Sequence, residues 1–219
     1  NYESANLTFP TDIYDKKNGK PLLSWRVAIL PYIEQDNLSR DFIAHMNTGA
    51  SALGFPKLDT VIPTLMCPSD PLNPKLNTFW GGIGTPTQGF SGNYVVNAGD
   101  DYFNPATPAI PTGDSTKATG VIYALSMTRI ADITDGTANT ALVSELILVA
   151  DTDSHDIRGR YHNPAHSGVA FSTRVPPNTS VPDQFNWCAN SPPKQAPCTY
   201  TGTNIFVAAR SYHQNGVNV

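Results

Sequence analysis

Three histidines, His155, His162 and His166, lie close together beside Asp151, Asp153 and Asp156. Imidazole and carboxylate are the donors of many zinc sites. The spacing argues against one here. Asn163-Pro164 separates His162 from His166, and proline blocks the helical turn that would bring such a pair to one ion. No glutamate stands beside the first histidine of that pair, as the helical zinc motif requires. These three are read as solvated loop histidines. Asp151-Thr-Asp-Ser-His-Asp156 opens like a calcium loop, but Asp156 occupies the position that needs glycine. His162 likewise stands where a bidentate glutamate should close the loop. Hard cations accept scattered oxygens, so Asp132, Asp135 and Asp151 are kept as calcium candidates. Gly89-Phe-Ser-Gly-Asn93 is close to a nucleophile elbow. Asn93 replaces its second flanking glycine, and an apolar strand follows where a helix is required. No catalytic set emerges, so the expectation is a protein that is not an enzyme and has no cofactor other than a candidate calcium ion.

A second group of residues offers contact surface. Trp80, Trp187 and Tyr161, with Tyr102 and Phe103, fall in loops where aromatic faces could stack on a solute or carbohydrate. A third group reads as structure. From Arg129 to Glu145 the chain offers capping oxygens at Asp132 and Thr134, then the turn Asp135-Gly136. An apolar run from Thr140 to Ala150 follows and is read as a central strand. Arg129, Asp132, Asp135 and Glu145 form the expected polar network of this corner.

The elements that must position these groups are sparse. Ser24 can cap a helix that starts at Trp25, with Ile29, Tyr32, Ile33 and Leu38 on its apolar face and a kink or restart at Pro31. Strands are expected at Ser91–Ala98, Gly120–Leu125, Val169–Thr173, Ile205–Ala209 and Gly216–Val219. Long loops rich in Pro, Thr and Gly separate them. At 219 residues with no linker or repeat, the chain reads as one domain over 1–219.

Charge narrows the partners. With 14 basic against 18 acidic residues, a net charge of −4 argues against nucleic acid. Charged residues make up only 15% of the chain, below the ~25% of ordinary soluble domains, which fits an exported protein or an assembly subunit. No apolar run is long enough to span a membrane. Cys188 and Cys198 bracket a short Pro-rich loop and are expected to form a disulfide, which implies an extracellular or cell-surface setting. Cys67 is left over, either as a buried small hydrophobe or as the partner of a cysteine elsewhere. Asn1 is not a translation start, so the chain reads as a processed or truncated piece.

Several blocks together carry a resemblance: Asn1-Tyr-Glu-Ser-Ala with Phe9-Pro10, Leu23-Ser-Trp-Arg-Val, Leu30-Pro-Tyr-Ile-Glu-Gln35 and Cys67-Pro-Ser-Asp70. Asn93-Tyr-Val, Asn97-Ala-Gly99, Ile130 to Glu145, Phe171-Ser-Thr and Pro177-Asn-Thr-Ser with Pro182-Asp183 continue the series. Ala209-Arg-Ser-Tyr-His213 with Gly216-Val-Asn218 completes it. The chain resembles the large bacterial family of secreted prepilin-like proteins abundant in planctomycetes, with a pilin-type N-terminal cleavage/methylation signal, a domain of unknown function and a C-terminal His…Asp-Gly motif. The resemblance implies an α+β, pilin-like fold, with a long helix packed on an antiparallel β-sheet with long loops. It implies a hydrophobic helix ahead of Asn1, which would be the only link to a membrane, and an Asp-Gly beyond Val219. It also implies a cysteine in that helix as a disulfide partner for Cys67. The expected function is a non-catalytic pilin-like or pseudopilin-like structural subunit of an extracellular fibre, surface assembly or secretion apparatus. Its partners would be copies of itself or related subunits. The alternative is a surface-anchored solute- or carbohydrate-binding module.

Overall fold

The computed structural model describes residues 1–11, 23–50, 52–77, 89–102, 119–123, 126–151, 154–160, 168–202, 204–214 and 216–219. It is an α+β structure of short elements. Helix α1 spans Tyr2–Asn6, capped by the Asn1 side chain, which accepts from the Ser4 amide. Helix α2 spans Trp25–Ile29 with Ser24 at its N-terminus, although the Ser24 side chain makes no capping hydrogen bond. Pro31 cannot donate to a continuing α-helix. The chain tightens there into a 3-10 turn, Leu30–Ile33, and Glu34 takes a left-handed conformation before α3 starts at Asp36. Helix α3 runs Asp36–Asn47 and buries Leu38, Ser39 and Phe42, a narrow stripe at helical spacing.

Among the described residues, seven short strands follow: β1 (Lys75–Asn77), β2 (Gly89–Ser91), β3 (Tyr94–Gly99), β4 (Val143–Glu145), β5 (Ala170–Ser172), β6 (Asp183–Phe185) and β7 (Cys198–Tyr200). The central sheet has the order β4-β3-β5, antiparallel at β3–β4 and parallel at β3–β5. Strands β1 and β2 pair antiparallel, and β6 and β7 parallel. In place of the expected antiparallel sheet, the described residues form small antiparallel, mixed and parallel sheets.

Other expectations shift as well. The apolar run after Thr140 pairs only over β4, at the edge of its sheet. Leu146 to Val149 are buried without joining a ladder. The described residues of the expected strand from Gly120 form bends, and 216–219 form no strand. The stretch from Ser91 divides at Gly92-Asn93 into β2 and β3. The longest described helix, α3, packs in a helical layer formed by Val27, Leu30, Leu38 and Phe42 with Phe55 and Phe90. It is the short α2 that faces the sheet. Trp25 and Ile29 pack on Val96, Ala98, Val169 and Ala170, and the Trp25 indole donates to the Val169 carbonyl at 2.9 Å.

Candidate functional site

Arg26 fixes the frame of the site. Fully buried, its guanidinium donates to the carbonyls of Gly159, Tyr94 and Gly92, the last at 3.2 Å. These bonds hold the start of β3 against the Gly159 turn. Next along the chain, Asn93 uses its whole amide. Its Nδ2 donates to Asp70 Oδ2 at 2.7 Å and to the Leu146 carbonyl at 3.0 Å. Its Oδ1 accepts from the Cys67 amide and from Asn73 Nδ2, both at 2.8 Å. The Asp70 amide closes the Cys67-Pro-Ser-Asp70 turn by donating to the Cys67 carbonyl. Asp70 Oδ2 also accepts from the Leu148 amide at 2.9 Å. Buried polar groups satisfied this fully set one arrangement of the loop.

Cys67 is thereby presented to the end of β4. Its thiol lies 3.7 Å from Glu145 Oε1 and 3.7 Å from His213 Nε2, and the last two atoms are 3.3 Å apart. The other ring nitrogen of His213 is 3.5 Å from Ser69 Oγ. The final segment reaches this point because the Arg210 amide donates to the Glu145 carbonyl and Asn218 Nδ2 donates to Glu145 Oε1 at 2.8 Å. Glu145 is 2% exposed, and its Oε2 accepts no hydrogen bond of ordinary geometry. Burial alone would penalise the Glu145 carboxylate. Contacts with Ser211 and Asn218 and the charge of His213 outweigh that penalty and hold its pKa below the ordinary value. Burial pushes the Cys67 thiol up, and the neighbouring Glu145 charge adds to the effect against an opposing backbone contact at Ser69. The donor atoms of this trio lie close enough together to hydrogen-bond to one another or to ligate one cation.

The residues singled out in the sequence go to different places. The expected network at Arg129, Asp132, Asp135 and Glu145 divides. Arg129 pairs with Asp132 at 2.7 Å on the surface, Asp135 is exposed, and Glu145 lies with Cys67 and His213. Side-chain and backbone hydrogen bonds from Arg129 lower Asp132 to about 2. Of the calcium candidates, Asp132 pairs with Arg129, Asp151 with buried Lys75 at 3.4 Å, and Asp135 is exposed. Burial pushes the Asp151 carboxyl up despite that partner.

His155 is buried rather than solvated, stacked on one face of Trp187 with ring centroids 4.4 Å apart, while Trp187 stays 36% exposed. Arg174 lies over Tyr102 at 3.9 Å in the same way. His162, His166, Asp153, Trp80, Phe103 and Tyr161 lie outside the described residues. Cys188 and Cys198 are joined in a disulfide, and Cys67 is a buried thiol that pairs with neither of them. Sequence reasoning missed the trio because Cys67 and His213 are 146 residues apart. The one signal was that all three residues sit inside the blocks carrying the family resemblance.

The whole chain, residues 1–219, matches the model of the family described as protein of unknown function DUF1559, and it belongs to that family. No curated protein and no solved structure matches it.

Proposed function

We propose that this chain is an extracellular, non-catalytic, pilin-like structural subunit that works by packing against copies of itself or related subunits in a surface assembly. The observation that supports the reading is a set of exposed apolar side chains on two paired segments beside α1. That helix buries none of its side chains. The Phe9 amide donates to the Thr128 carbonyl at 2.8 Å and brings two exposed segments side by side. Leu7 is 72% exposed on one of them, and Met127 and Ile130 are 76% and 48% exposed on the other. Large apolar side chains grouped in this way characterise surfaces that another protein covers. The disulfide between Cys188 and Cys198 supports an oxidising compartment. The blocks that carry the family resemblance supply Arg26, Asn93, Asp70 and Arg210, whose hydrogen bonds hold the fold. Among the described residues no helix is long and apolar enough to cross a membrane. The test is electron microscopy of material shed from the native cell surface, with mass spectrometry of its subunits. Filaments or sheets containing this chain are expected. Dispersed monomers that bind a glycan would overturn the reading in favour of a binding module.

A further inference from the structure

Cys67, Glu145 and His213 come from a loop, a strand end and the last segment of the chain, yet their donor atoms form a compact triangle. Its edges are 3.7 Å from sulfur to oxygen, 3.7 Å from sulfur to nitrogen and 3.3 Å from nitrogen to oxygen. A tetrahedral zinc ion with ordinary bond lengths spaces such donors about 3.6 Å apart along the two sulfur edges and about 3.4 Å along the third. We propose that Cys67 Sγ, the Glu145 carboxylate and His213 Nε2 together bind one divalent transition-metal ion of the zinc class.

An independent observation points the same way. Glu145 is 2% exposed and its Oε2 accepts no hydrogen bond of ordinary geometry. A carboxylate oxygen left unsatisfied in the interior is costly, and a cation at this triangle offsets that cost. The surroundings are already arranged for ligation. The Cys67 amide is held by Asn93 Oδ1 at 2.8 Å. The second nitrogen of His213 is 3.5 Å from Ser69 Oγ, a contact of the kind that orients a ligating imidazole. Thiolate and imidazole select zinc, cobalt or copper over calcium and magnesium, which take oxygen. The His213 side chain is 37% exposed, so the site opens to solvent on that side and leaves a fourth coordination position there. Binding forms the sulfur–metal bond and releases the thiol proton to solvent. The ion would tie the Cys67 loop, β4 and the final segment together. This inference is independent of the assembly proposed above.

The experiment uses the full chain stripped with EDTA and titrated separately with Zn²⁺ and Co²⁺. The expected result is one ion per chain, a thiolate-to-cobalt charge-transfer band, and alkylation of Cys67 slowed at least about tenfold by zinc and restored by chelator. His213→Ala should weaken zinc binding at least about tenfold while the melting of the metal-stripped protein stays near that of wild type. Cys67→Ser should abolish the cobalt–thiolate band. Should that variant fail to fold, the band and the alkylation rate in the unsubstituted chain decide the question alone. No stoichiometric binding, or zinc binding that leaves Cys67 alkylation unchanged and survives His213→Ala, would reduce the trio to a hydrogen-bonded cluster.

Discussion

Two arginines in this chain show how position decides the worth of an ion pair. Arg129 and Asp132 meet at 2.7 Å on the surface, with side chains 64% and 39% exposed. Arg158 lies between Asp156 and Asp183, each at 2.7 Å, with all three side chains essentially removed from solvent. Arg210 joins the same Asp183 at 2.9 Å and donates to the carbonyls of Thr179 and Val181. Removing one partner of such a buried set strands the opposite charge, at a cost of about 3–5 kcal/mol. Arg158→Ala should lower the unfolding free energy by that amount in a denaturant titration, and Arg129→Ala should leave it almost unchanged. Equal effects would contradict this ranking. The pH dependence follows from the same cluster. Burial acts against ionised Asp156, but Arg158 and Lys75 outweigh it and hold its pKa below the usual value. A carboxyl depressed in the folded state contributes stability that is complete above the unfolded value of ~3.9 and is lost as pH falls through the folded one. The stability gap between wild type and Asp156→Asn should therefore be widest above about pH 4 and narrow below it. A gap that widens with acid would reverse the sign argued here.

At the scale of elements, the sequence showed punctuation better than partners. The restart at Pro31, the left-handed turn at Gly136 and the Cys188–Cys198 staple all follow from local chemistry, and all stand in the structure. Strand extents were less legible, since pairing rests on residues distant in the chain. The apolar run through Leu146–Val149 is buried by neighbours rather than by a ladder, and a buried coil has the same composition as a buried strand. The Cys67, Glu145 and His213 trio was hidden for the same reason, because side-chain spacing along the sequence carries no trace of it. Close approaches of backbone to backbone are also invisible in sequence, and Gly159 makes one of them. Its φ is +83°, and a Cβ there would lie 2.5 Å from the Gly92 carbonyl oxygen and 2.7 Å from Leu148 Cδ2. The Gly92 amide also donates to the Gly159 carbonyl at 2.8 Å. Gly159→Ala should thus destabilise the fold by more than about 1 kcal/mol, and thermal melting would show it; a melt unchanged within a degree would mean that the turn relaxes freely. The disulfide closes a separation of 10 residues. Chain-entropy reasoning gives it about 2–3 kcal/mol, so the Cys188→Ala/Cys198→Ala double variant should unfold at correspondingly lower denaturant.

On the scale of the whole molecule, buried polar side chains cross-link the described interior while exposed apolar side chains remain on the surface beside α1. Buried Arg26, Asn93, Arg158 and Arg210 each hold two or more partners and join stretches distant in sequence. A body fixed in this way presents a surface of constant shape, as repeated packing requires. Leu7, Met127 and Ile130 are exposed around the pairing of Phe9 with Thr128. Placing a charge there costs the isolated fold little, since surface substitutions away from special features usually stay within about 0.5 kcal/mol. The same charge buried against a neighbouring subunit, without a counter-ion, is strongly unfavourable. Met127→Glu should therefore leave the melting temperature of the monomer unchanged and weaken self-association or incorporation into the native assembly by more than about tenfold. Sedimentation of the purified chain over a concentration series, and the fraction of tagged variant recovered in shed surface material, would measure the two effects. Assembly unaltered by Met127→Glu and by Leu7→Asp would show that subunits do not meet through this face. Loss of assembly with an unchanged melt is the outcome that a packing surface requires.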